Sequence, residues 1–141
     1  MNSKNNSIIK TGILIILILL SGIPAFHKIS GGSVPEWFIK KFTGSALDLI
    51  PGGITLSFYI ITILETIIPV VLTIALIKRE HKGVSNTFSE LGFILSGLLF
   101  IILFFGSFLV ESYDNGFNDF IYFVAVLLLR KEYYKEFSLS K

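Results

Sequence analysis

The chain has 141 residues with a formal net charge of +2, and 52% of its residues are hydrophobic against 16% charged. A soluble domain carries about a quarter charged residues, so this composition points to an integral membrane protein in one domain spanning 1–141. The absence of cysteine excludes disulfide exchange, iron–sulfur clusters and thiolate metal sites, and the small net charge calls for no nucleic-acid partner.

The apolar runs predict an all-α membrane protein, a four-transmembrane-helix bundle with spans at about 8–26, 54–77, 91–110 and 117–134. Lys4 and Lys10 ahead of the first run resemble a signal peptide, but Ile23 occupies the place where a small residue is wanted before the cut. A retained span is therefore expected. Between the first two runs lies a connection too long for a bare loop. Within it Ser33 as cap, Pro35 and Glu36 predict a short interfacial helix, bracketed by Gly31-Gly32 and Pro51-Gly52-Gly53. Trp37 and Phe38 opposed to Lys40 and Lys41 fit an anchor at the membrane surface.

The second span carries the main candidate site. Glu65 lies near its centre, where an ionised carboxylate costs about 2.5–3.5 kcal/mol. Pro69, four residues on, has no N–H and deprives the Glu65 carbonyl of its helical partner. Thr62 and Thr66 share a stripe with Pro69, and such a stripe is expected to meet facing helices through close packing or interhelical hydrogen bonds, with packing the simpler role for each threonine. In the third span Ser89, Gly92, Ser96, Gly106 and Ser107 predict a close-packing face. Asn115-Gly116 then marks a tight turn, and Asp119 is placed as an N-terminal cap of the fourth helix.

His27 and Lys28, at the end of the first span, are expected to approach Glu111, Asp114 and Asp119 in an external polar cluster leading toward Glu65. His27 and His81 fall on opposite sides of the membrane, so they share no metal, and no metal site is assigned. With four spans, nine of the 12 basic residues, including Lys4, Lys78, Arg79, Lys82, Arg130, Lys131 and Lys141, lie on one side. Only Lys28, Lys40 and Lys41 lie on the other, so both termini are expected in the cytoplasm.

Three quoted stretches resemble the DoxX-like family of small four-helix membrane proteins, with its MauE and SURF-type relatives. They are Gly22-Ile23-Pro24-Ala25-Phe26-His27-Lys28-Ile29, Trp37-Phe38-Ile39-Lys40-Lys41-Phe42, and Leu64-Glu65 followed by Lys78-Arg79. The resemblance covers about 11–129 and implies a bacterial plasma (inner) membrane protein. It carries the family's helix-two acid onto Glu65 and its basic turn onto Lys28. Members include quinone-linked subunits, maturation factors and assembly or trafficking factors. The expected function is that of an accessory protein without catalysis of its own, binding a protein partner or a second copy of itself. Two alternatives stand beside it. One is a quinone-linked redox subunit using Glu65 and His27 for protons, with quinone as the cofactor. The other is a small transporter or lipid-binding protein.

Overall fold

A computed structural model describes residues 3–82 and 85–135. Lys141 and the side chain of Lys4, both counted above for orientation, lie outside the described residues. Among the described residues the chain is all-helical. It comprises α1 (Ser3–Ser30), α2 (Glu36–Phe42), α3 (Gly53–Ile77), a 3-10 turn (Glu80–Lys82), α4 (Thr87–Leu109) and α5 (Tyr113–Tyr134).

Three of these helices, α1, α3 and α4, are long and apolar enough to cross a membrane, which makes this a multi-pass membrane protein. The expected bundle of four transmembrane helices is therefore corrected to three spans. The fifth helix is long enough, but its first two turns hold Asp114, Asn115, Asn118 and Asp119, and its last holds Arg130, Lys131 and Glu132. The apolar stretch between them, 120–129, rises about 15 Å, half the thickness of a bilayer core. This helix lies antiparallel along α4, which supplies partners for its polar ends.

Neighbours in sequence are neighbours in space: α1 packs on α3, α3 on α4, and α4 on α5. The core between them is built from Leu14, Leu17, Phe58, Ile68, Leu72 and Phe93, all nearly inaccessible. Two glycines stand at close contacts, one between helices and one where the chain enters α3. A Cβ on Gly92 would lie 2.1 Å from Leu72 Cδ2, so the buried Leu72 side chain of α3 packs directly onto this glycine of α4. A Cβ on Gly53 would fall 2.4 Å from the Leu47 carbonyl oxygen, which fixes the chain's entry into α3.

The short helix differs from the expectation in its cap and in its faces. Pro35 is the N-cap residue, not Ser33, and its carbonyl accepts from the N–H groups of Phe38 and Ile39. Phe38 and Phe42 turn into the core, with the Phe38 ring centroid 5.2 Å from that of Phe58. Trp37 points outward at 58% exposure. A seven-residue helix with two buried rings is a plug against α3 rather than a purely interfacial anchor.

The turn before α5 also sits elsewhere. Asn115 and Gly116 lie inside the first turn of α5, and the reversal is made at Glu111, with φ at 55°. Gly116 is required for contact instead: a Cβ there would be 2.8 Å from Phe108 Cε2.

Candidate functional site

The middle of α3 holds a buried carboxylate, and α1 supplies its counter-charge. Glu65 stands twelve residues from either end of α3, about 18 Å along the axis from each. Lys28 Nζ donates to both Glu65 carboxylate oxygens, at 2.7 Å each. The Glu65 side chain is 5% exposed and that of Lys28 16%, so the pair is closed off on most sides. Lys28 reaches this depth because α1 and α3 run antiparallel, with Gly22 opposite Pro69 and Lys28 one to two turns further along, opposite Glu65. The ammonium also lies 5.9 Å from the centroid of the Phe58 ring, which shields the pair on one side.

Backbone and side chains around the pair are arranged for close packing. A Cβ on Gly22 would meet the Pro69 ring at 3.6 Å, ordinary contact, so the proline sits against a glycine of the facing helix. Pro24 lies in α1 just beyond that glycine, so each of the two facing helices is interrupted by a proline in the same region. Of the two readings of the threonine stripe, interhelical hydrogen bonding is not seen for Thr62 or Thr66. Thr62 donates to the Phe58 carbonyl and Thr66 to the Thr62 carbonyl, each one turn back in its own helix. A hydroxyl can satisfy itself this way without a partner helix, which is why a threonine row is a poor signal for interhelical bonding.

The external polar cluster forms with different members. Lys28 is committed to Glu65, and His27, exposed on the neighbouring position of α1, stacks edge-on against Phe26. Glu111 and Asp114 are exposed. Asp119 is half-buried and accepts from the Ser107 hydroxyl at 2.8 Å, so it ties α5 to α4 rather than capping α5. The cation whose charge acts on Asp119 is Lys41, which lines one cleft with Glu111.

At the opposite end is an acid that the sequence did not single out. Glu80 is 1% exposed, and its carboxylate accepts from the Ser89 N–H at 2.7 Å and the Phe88 N–H at 3.1 Å. The Ser89 and Ser85 hydroxyls complete the set. These two N–H groups are the second and third of α4, the ones a cap side chain normally takes, while Asn86 at the cap position makes no such bond. Burial alone would raise the Glu80 carboxyl, but these donors outweigh it and hold it below the ordinary carboxylate range. Beside it, burial and then the charges of Lys82 and Arg79 lower the His81 imidazole below its usual value. The available sequence signal was misleading: Thr87-Phe88-Ser89-Glu90 has the spacing of a capping box, yet Glu90 pairs with Arg130 of α5.

Among the described residues no cluster of metal-ligating side chains is present. No family model, no curated protein and no solved structure matches this chain.

Proposed function

We propose that the protein is a small integral-membrane accessory protein of DoxX-like type, which binds or stabilises a membrane or envelope partner without catalysis of its own. The observation that carries this reading is the Lys28–Glu65 pair: both oxygens of the intramembrane acid are held by one part-buried ammonium. A carboxylate so engaged joins α1 to α3, whereas a proton carrier must release its partner in each cycle. His27, the other group of a quinone-linked reading, lies exposed and is not brought to Glu65.

The end bearing Lys10, Lys78, Arg79, Lys82, Arg130 and Lys131 faces the cytoplasm in this proposal, and the membrane is the plasma membrane. What supports this is the excess of basic residues there over the end that holds Lys40 and Lys41. Purification of the tagged chain in mild detergent, with mass spectrometry of what stays bound, tests the function. A stoichiometric protein partner and no quinone reduction by the isolated chain are expected. Stoichiometric quinone without a protein partner overturns the reading.

A further inference from the structure

Between α4 and α5 runs a groove of about 460 Å³, floored by Phe93, Gly97 and Phe123 and bordered by Ile101 and Leu127. It opens at one end into a polar mouth formed by Asn86, Glu90, Arg130, Lys131 and Tyr134. The two share Glu90, Leu127 and Arg130, so they form one continuous depression that is apolar along its length and charged at its end. From Glu90 to Ile101 the groove follows α4 for eleven residues, about 16 Å. One leaflet of the hydrocarbon core is about 15 Å thick.

We propose that this groove is a specific site for one anionic phospholipid, with an acyl chain lying along Gly97 and the phosphate at Arg130 and Lys131. Length is the first argument, since the groove runs as deep as an acyl chain in one leaflet. Charge is the second. Glu90 accepts from Arg130 Nε at 3.2 Å and from its terminal nitrogen, which fixes the guanidinium at the mouth and neutralises one charge. Lys131, exposed and in no ion pair among the described residues, leaves the mouth one positive charge in excess. A phosphodiester monoanion balances it, and basic sites beside membrane helices take such headgroups.

Native mass spectrometry of the delipidated full chain in micelles, with phosphatidylglycerol or phosphatidylcholine added, reads the site directly. The wild-type chain is expected to retain one phosphatidylglycerol more tightly than phosphatidylcholine. Lys131→Gln, an exposed position whose change leaves the fold intact, weakens that retention about fivefold, the worth of one basic residue at an anionic lipid. Lys40→Gln, the same charge change on α2 at the other end, leaves it unaltered. Excess inorganic phosphate does not displace the lipid, because the acyl chain in the apolar groove holds it as well as the headgroup. Absence of a retained lipid, equal retention of both lipids, equal loss in both variants, or displacement by phosphate each overturns the proposal.

Discussion

Lys28 and Glu65 stand 37 positions apart in the chain, yet the lysine ammonium lies 2.7 Å from both carboxylate oxygens. Removing either charge strands the other in a largely enclosed site, with Glu65 5% and Lys28 16% exposed. Glu65→Gln and Lys28→Met are each expected to destabilise the protein by about 3–5 kcal/mol, and Lys28→Met with Glu65→Leu to recover most of it. Thermal unfolding in detergent, followed by the fraction that stays monodisperse, measures all three. Wild-type stability in either single variant would show that the pair is dispensable.

Glu80 makes the protein acid-sensitive through its hydrogen bonds to α4. Its pKa is lowered in the folded state, so its contribution is full above the ordinary carboxylate value, about 4.3, and is lost as pH falls through the folded one. His81, lowered and kept neutral, has the same sign at higher pH: protonation favours the unfolded chain once pH drops below about 6.5. Melting temperature against pH should therefore fall in two stages on acidification. His81→Gln removes the upper stage and Glu80→Gln the lower. A single stage unaffected by Glu80→Gln would contradict the capping role.

Glycines that look alike in sequence differ in what an added methyl group meets. Gly92→Ala drives a Cβ into the Leu72 side chain, itself fully buried, and is expected to cost about 1–3 kcal/mol. Gly22→Ala, with its nearest atom at 3.6 Å, is expected to be neutral or to gain up to about 1 kcal/mol of helix propensity. The pair of melting temperatures decides. Equal shifts would mean that α3 and α4 can move apart freely.

The two faces of α2 separate anchor from plug. Phe42→Ala opens a void beneath buried rings and is expected to cost about 3–5 kcal/mol, while Trp37→Ala leaves the melting temperature nearly unchanged. A larger loss for Trp37 would place the weight of this helix in the bilayer surface instead.

Much of the helical layout was legible in the apolar runs. The run at 54–77 is α3 almost to the residue, because an apolar run of that length satisfies its backbone in lipid as a helix even with Pro69 inside it. The fifth helix was misjudged as a span because hydropathy blurs its ten-residue centre into the tyrosines at its end. The turn at Glu111 was missed because Asn115-Gly116 offers the stronger local signal, while Gly116 is there for its contact with Phe108. The burial of Glu65 was readable from its depth. Its partner was not, since a lysine near a helix end ordinarily extends toward the surface, and here the facing acid draws it inward.

The arrangement of α1, α3, α4 and α5 in space repeats their order along the chain. For a protein made vectorially into a membrane, each emerging helix thus finds its docking surface already in place. Glu80 holds the start of α4 beside the end of α3, so those two can enter the bilayer as a paired unit. Assembly of this kind proceeds by successive short-range steps and needs no earlier helix to be displaced. The closing event is the meeting of α1 with α5, where Lys10 comes within 5.7 Å of the Tyr133 ring centroid.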